Sequence, residues 1–525
     1  MRRHAHLILL GLVLVLGAAL RVYHLSSVPS ELIVDELDLY NSAYSIATTG
    51  HDIDGTLQPF LYCSLTRNPP IYAIAGYAST LVLGKNPFGL RFPAVIFGLI
   101  SILALYGIAR ELTRRRDVAL TAALTMAVSP IFIQFSRVAW EPSSELPFLL
   151  SGLYVLMRAF RRADDAGSPE RVGFGGIALG AILLGLTSYT YMAGWFYAVV
   201  LGGSLALFFF SRTRTPQSIA KALGGVAIWF VVSAPALWEW FFDYHTMNRT
   251  RGLSTFANGI TPAALHAFFG NYIVHFRWSY LVTTGDPLSG QTWRYLDGFG
   301  AFYWWVIALA VLGAAVSFRY VRARWGFPWI WVWLLAYPLG GALTNEGAPN
   351  APRTLAGAPV FCLLAGIGLA LLLDLAANIP RERIARIAGI AIRALFGVAV
   401  ALSVTLFSIF YFTRFVHMNS NAWDSGTAQM FGIIRAHAAD YDRACFAVLP
   451  AWYGTDTYAR YYLDDLPTRL HVIPYYLDPE CALPGTMLVM DEQHLQTGKG
   501  IVPLGAAYSV DGGNPWAYVA GRPRR

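Results

Sequence analysis

The sequence predicts a polytopic α-helical membrane protein of about 11 transmembrane helices, with interfacial helices in its first outer loop and a small C-terminal extracytoplasmic α/β domain. Three observations carry this. Of 525 residues, 56% are hydrophobic and only 13% are charged, roughly half the charged fraction of an ordinary soluble chain. Apolar runs long enough to cross about 30 Å of hydrocarbon recur along residues 5–412. The arginines between those runs cluster in alternate short loops, the pattern that marks the cytoplasmic side of a membrane.

The spans are expected near residues 5–23, 91–110, 118–136, 143–160, 173–189, 193–210, 222–242, 299–317, 327–343, 355–375 and 387–412. No small-x-small cleavage site precedes Arg21, so the first run reads as an uncleaved helix with a cytoplasmic N-terminus. A further run, 70–84, is excluded by loop charge. Counting it would carry Arg114-Arg115-Arg116 and Arg161-Arg162 to the outside, against the positive-inside rule. It reads as an interfacial helix started by Pro69-Pro70, with Tyr72 and Tyr77 at headgroup depth.

This leaves a transmembrane domain, 1–412, with an outer loop at 24–90 and a second at 243–298, followed by an extracytoplasmic domain at 413–525. In the tail, helical patterns (Thr427 to Arg435, Tyr458 to Leu463) alternate with strand-like runs (Ala444 to Leu449, Arg469 to Ile473, Met487 to Met490), which implies a small α/β unit. Cys445 and Cys481 both fall there, either as a disulfide or as two buried thiols.

The net charge of +8 does not imply nucleic acid, which would need a basic face interleaved with aromatics. The cysteines form no CxxC pair and no Cys/His zinc spacing. His245, His266 and His275 lack the spacing of a metal site. No cofactor is expected, although Asp35 and Glu36 together have the chemistry to hold a divalent metal.

The candidate chemistry lies on the outer side. Carboxylates at a membrane edge are costly unless they serve a purpose. If residues 31–48 are helical, Asp35 and Asp38 share a face while Glu36 points elsewhere. A carboxyl beside apolar surface has a raised pKa and suits general-base work. Asp35 is the functional candidate, whereas Asp38 reads as a solvated first-turn acid. Outer cations are few: Arg67, Lys85, Arg91, Arg137, Arg249, Arg251, Arg277, Arg294 and Arg353 before the tail. Arg binds phosphate through forked, charge-assisted hydrogen bonds. Arg277 and Arg294 read as snorkelling side chains; Arg137 and Arg353 sit in tight outer loops.

These residues fall in a recognisable order. Asp35-Glu36 with Tyr40 and Ala43 precedes Asn68-Pro69-Pro70-Ile71-Tyr72. Gly84-Lys85-Asn86-Pro87-Phe88-Gly89-Leu90-Arg91 follows, then Ser129-Pro130, Ser136-Arg137 and Pro352-Arg353. The order resembles the multi-spanning GT-C glycosyltransferases of family 39, the protein O-mannosyltransferases and aminoarabinose transferases. The resemblance covers about the first 160 residues. It implies a sugar donor on a polyprenyl phosphate, with Asp35 and Glu36 as catalytic acids and Asp35 the base. It further implies Lys85, Arg91, Arg137 and Arg353 on the donor phosphate, and Tyr40, Asn68 and Tyr72 near acceptor or sugar. Membrane lipids and an acceptor glycan, lipid or protein would be the partners. A transporter or flippase for a lipid-linked glycan is the alternative, and a polysaccharide-binding scaffold a third reading.

Overall fold

The computed structural model describes the chain except for residues 1–4, 58–59, 64–66, 214, 287–295, 297, 419, 421–422, 448–453, 465–469, 474–477, 498–499, 511–514 and 524–525. Each predicted apolar run holds helix, as it must where no water satisfies the backbone. The chain opens with α1 (Ala5–Val22), α2 (Val34–Thr49), α3 (Pro70–Leu83), α4 (Pro87–Thr113) and α5 (Arg116–Val128). Long helices at Glu145–Asp165, Pro216–Phe242, Trp304–Tyr320, Pro359–Ala377 and Glu382–Ile409 follow. Among the described residues, 5 helices are long and apolar enough to cross a membrane unbroken.

Other runs are interrupted. The run at 118–136 breaks at Ser129, where Pro130 starts a second short helix, Pro130–Phe135, because proline cannot donate to the preceding turn. The run at 327–343 breaks ahead of Pro338 into Gly326–Ala336 and Leu339–Ala342. The bundle core is tightest where Trp304–Tyr320 crosses Pro359–Ala377. A Cβ on Gly313 would lie 1.9 Å from the Leu364 carbonyl oxygen, and one on Gly368 2.0 Å from that of Leu309. Small residues at such crossings let helix backbones touch.

The two ends of the bundle differ. At one end Arg115 bridges Asp117 and Asp374, Arg114 meets Asp165, and Arg161 meets Glu111. The other end collects the loop after α1, helices α2 and α3, and the tail. Arg91, in the first turn of α4, donates to the carbonyls of Leu25 and Pro29, just beyond α1. The exit of α1 and the entry of α4 therefore share one end, and α3 does not cross.

A short antiparallel pair, β1 (Tyr62–Cys63) and β2 (Arg67–Asn68), precedes α3. The tail carries a five-stranded sheet of β3 (Arg443–Phe446), β4 (His471–Ile473), β5 (Thr486–Met490), β6 (Val502–Ala507) and β7 (Ala517–Arg522). The spatial order is β4-β3-β5-β7-β6. β3 is parallel to β4 and β5; β7 is antiparallel to β5 and β6. The β6–β7 pair was not expected, since Pro503, Gly505 and Gly521 dilute its strand signal. Cys445 and Cys481 are disulfide-bonded across 36 residues, and Cys362 is a buried free thiol. Helix Thr455–Tyr462 packs on α2, where the Asn41 amide donates to the Thr457 carbonyl oxygen at 2.8 Å.

Candidate functional site

The site is built around α2. Its first turn carries Asp35 and Glu36, and the two acids face opposite environments. Glu36 is fully buried and accepts four hydrogen bonds. Its Oε1 takes Arg91 Nε and the Ala139 N–H, both at 2.8 Å, and its Oε2 takes Arg91 Nη2 at 2.8 Å and the Ile33 N–H at 3.1 Å. The last bond caps α2, as an acid three residues into a helix does. Arg91 spends its remaining donors on the carbonyls of Leu25, Pro29 and Glu31. Every guanidinium N–H is thus used, and Arg91 has none for a donor phosphate. Glu36 and Arg91 thus lock one another and the backbone around them.

Asp35, one residue away on the lock's helix, is exposed. Asp424, from the segment entering the tail, is near enough to feel its charge. Asp424 adopts a left-handed backbone, φ 46°, and its carboxylate accepts a hydrogen bond from the Tyr458 hydroxyl. Burial pushes its carboxyl up to about 7, against the Tyr458 hydrogen bond that favours the charged form and with further upward push from the Asp35 charge. Glu31 is likewise raised to about 7 by burial, although the Ala428 and Gly426 N–H groups donate to it. Gly426 is required here: it has φ 95°, and a Cβ would fall 2.3 Å from Trp516 Nε1. Sequence reasoning assigned no role to Asp424, Tyr458 or Glu31. The stretch Trp423-Asp424-Ser425-Gly426, an acid and a turn just past the last span, was the available signal.

The remaining α2 residues face inward. Tyr40 is buried, with its ring 5.0 Å from Tyr461 and 5.8 Å from Tyr77. Lys85 Nζ lies 5.3 Å from the Tyr40 ring and 4.7 Å from the Tyr461 ring and pairs with Asp464 at 2.6 Å. Lys85, Glu31, Arg435, Tyr461, Tyr462 and Asp464 line a polar cavity of about 760 Å³ between outer loop and tail. Asp38 is not solvated, as expected, but buried, and accepts a 2.6 Å hydrogen bond from the Asn68 amide. Tyr72 is fully buried with its hydroxyl on the Leu90 carbonyl at 3.1 Å. Tyr40, Asn68 and Tyr72 are packed into the support of α2.

Arg137 is also occupied. It donates to the Leu20, Arg21 and Val28 carbonyls at 2.7–2.9 Å, capping the C-terminal end of α1, where a cation is favoured. Its plane covers Phe412 at 4.9 Å. Its Nε has no hydrogen-bond partner among the described residues.

Arg353 differs. It is buried beside Glu346, yet its Nη1 has no hydrogen-bond partner among the described residues. It lines a cavity of about 240 Å³ walled by Met192, Trp195, Phe196, Trp240 and Leu343. The turn bearing it is fixed from three sides. Asn350 Oδ1 accepts from the Arg353 N–H, Asp286 from the Ala351 N–H, and His275 Nε2 from the Asn350 N–H. His275 is thus structural; burial lowers its imidazole to about 4. Arg294, and the side chains of Arg67, Arg249 and His245, lie outside the described residues.

The described residues contain no cluster of three His, Cys, Asp or Glu that would hold a metal. Both Glu36 oxygens accept hydrogen bonds from the protein interior.

Residues 67–238 match the family of dolichyl-phosphate-mannose-protein mannosyltransferases. No curated protein sequence matches the chain. Among solved structures, ArnT from Cupriavidus metallidurans bound to undecaprenyl phosphate is 13% identical, with 98% of this chain and 97% of that chain covered and a TM-score of 0.56. The chain has the GT-C fold. The same GT-C architecture relates it to the Archaeoglobus fulgidus oligosaccharyltransferase in its apo form, at 13% identity and a TM-score of 0.56, covering 94% of this chain and 70% of that one. AglB from the same organism, in complex with an inhibitory peptide and a dolichol-phosphate, is 12% identical with a TM-score of 0.55, covering 90% and 65%. The chain thus spans about two thirds of the archaeal enzymes and nearly all of ArnT. The family match, about a third of the chain, starts at residue 67 and so excludes the acids of α2. Multi-pass membrane architecture follows from the apolar helices and these membrane-protein neighbours.

Proposed function

We propose that this protein is an integral-membrane glycosyltransferase that moves a sugar from a polyprenyl-phosphate donor to an acceptor hydroxyl on the outer face of the membrane, with Asp35 as general base. One observation carries the proposal: an exposed acid follows the membrane edge on a helix whose next residue is locked by Arg91. Such a lock holds still the helix that carries the base, as positioning requires. The N-terminus would then be cytoplasmic and the tail extracytoplasmic.

In this reading Asp35 takes the hydroxyl proton as the acceptor oxygen attacks the anomeric carbon. The bond from that carbon to the lipid phosphate breaks, and the phosphate leaves with the electron pair. Arg353, with a donor to spare in an apolar-walled cavity, and Lys85 are the candidates to neutralise it; a cation aimed at developing charge in a dry site is worth several kcal/mol. The GT-C neighbours bound to undecaprenyl phosphate and dolichol-phosphate support a lipid-phosphate donor. The gathering of these groups at one bundle end favours transfer over flipping, which places ionisable groups near the midplane.

The test is transfer in membranes from a radiolabelled polyprenyl-phosphate sugar, comparing wild type with Asp35→Asn. Loss by a factor of about 10² or more is expected; equal transfer by both refutes the assignment.

A further inference from the structure

At the bundle end away from α2 the arginines are not all used alike. Arg115 is spent, pairing with Asp117 at 2.6 Å and with Asp374 at 2.5 Å, while the Tyr320 hydroxyl donates to Asp374 at 2.8 Å. Arg319 and Arg322 stand beside this cluster, exposed, with no ion pair and no side-chain hydrogen bond among the described residues. A cation in a last helical turn is favoured by the helix dipole. That accounts for Arg319, in Trp304–Tyr320, but not for Arg322, which lies past the helix. Together with the end of Pro359–Ala377 these side chains form a cavity of about 270 Å³, its lining including Arg319, Tyr320, Arg322, Asp374, Leu375 and Asn378. Asp374 is matched there by Arg115, and three arginines against two aspartates leave the site cationic. One flank is apolar and open. Leu375, on the cavity wall, and Phe318, whose ring centre is 5.3 Å from the Arg319 guanidinium, are each 57% exposed. On the apolar helices of a membrane bundle such side chains meet acyl chains.

We propose that this cavity binds the phosphate headgroup of an anionic phospholipid, held by Arg319 and Arg322, with an acyl chain along Phe318 and Leu375. Forked guanidinium donors match phosphate oxygens, and a basic pocket between helix ends at a membrane edge is where such headgroups are held. The cavity falls just below the roughly 300–1,000 Å³ of sites that enclose larger ligands, so it suits a headgroup and not a nucleotide. The bound lipid joins the ends of the two helices that cross most tightly, at Gly313 and Gly368, and stabilises the bundle by mass action. The site lies at the opposite end from Asp35 and stands independently of any role in transfer.

The experiment titrates the full chain, in a neutral detergent, with dioleoyl phosphatidylglycerol or with dioleoyl phosphatidylcholine, and counts bound lipid by native mass spectrometry. Each arginine near an anionic lipid contributes a factor of about 5, so the first phosphatidylglycerol should bind on the order of 10-fold or more tightly than the first phosphatidylcholine. Arg319→Gln and Arg322→Gln should each reduce that preference about 5-fold, and the double variant should abolish it. Both side chains are exposed, so the thermal midpoint in detergent should stay native; the single variants carry the test if the double variant fails to fold. Arg162→Gln with Arg171→Gln removes two exposed cations from the same bundle end but not from the cavity, and should keep the preference. Equal loss in the two double variants would mean a diffuse field and overturn the site, as would equal binding of the two lipids by the wild type. Inorganic phosphate in millimolar excess should leave the lipid bound; displacement would assign the cavity to free phosphate and overturn the lipid reading.

Discussion

The pairing of Glu36 with Arg91 makes a quantitative prediction. Both side chains have zero exposure, and between them they satisfy two N–H groups, at Ile33 and Ala139, and three carbonyls. Glu36→Gln preserves volume but removes the charge and presents an amide N–H where two donors already converge. Breaking a buried pair by neutralising one partner costs about 3–5 kcal/mol, because the other charge is left uncompensated. At the conversion for domains of a few hundred residues this lowers Tm by on the order of 5–10 °C. Arg91→Gln should cost a similar amount, and the double variant less than the sum, with a coupling of about 2–3 kcal/mol. Tryptophan emission during thermal unfolding of the three variants in nanodiscs reads this cycle. Transfer per folded molecule should fall through displacement of α2, with no change in the pH profile. A Glu36→Gln protein with native Tm and abolished transfer would refute the reasoning and return Glu36 to the chemistry.

Further expectations concern the tail and the cations. Glu31 and Asp424 have folded-state values of about 7, above their unfolded ones. Both bind more protons when folded, so tail docking should be strongest below about pH 4 to 5 and weaken as pH rises to about 7; limited proteolysis of the tail across this range checks the sign, and greater protection at pH 7.5 than at pH 5 refutes it. Arg353→Ala should reduce transfer about 10²-fold or more with little change in Tm, since its ionic partner Glu346 is exposed. Lys85→Ala should cost no more than about 1 kcal/mol, as its bridge to Asp464 is partly solvated. Cys481→Ser should destabilise the tail by about 3–4 kcal/mol, from the loop of 36 residues that the disulfide closes, measured by urea unfolding of tail tryptophans.

The bundle was legible because hydrocarbon enforces long apolar runs. α2 was legible too, including its acids. What sequence could not give was which face of α2 packs. Spacing paired Asp35 with Asp38 and turned Glu36 away, whereas the structure buries Glu36 and Asp38 together and exposes Asp35. The deciding contacts come from Arg91, 55 residues on, and the Ala139 backbone, 103 residues on, and no local period encodes them. Arg137 and Arg91 looked like phosphate ligands by residue type, but Arg91 is spent on Glu36 and backbone carbonyls, and both Nη atoms of Arg137 on carbonyls of Leu20, Arg21 and Val28. The β6–β7 hairpin was hidden by glycine and proline, and Asp424 by its place in an apparent linker.

The contact of Trp423 with Arg91 limits how this protein can be taken apart. An Arg that holds α2 to the membrane bundle is covered by a ring belonging to the tail. The tail is therefore not an exchangeable cassette: a chimera that swaps it must carry a matching α2 and α4 start, and a truncation after the final span removes the cover of the Arg91–Glu36 pair along with the sheet.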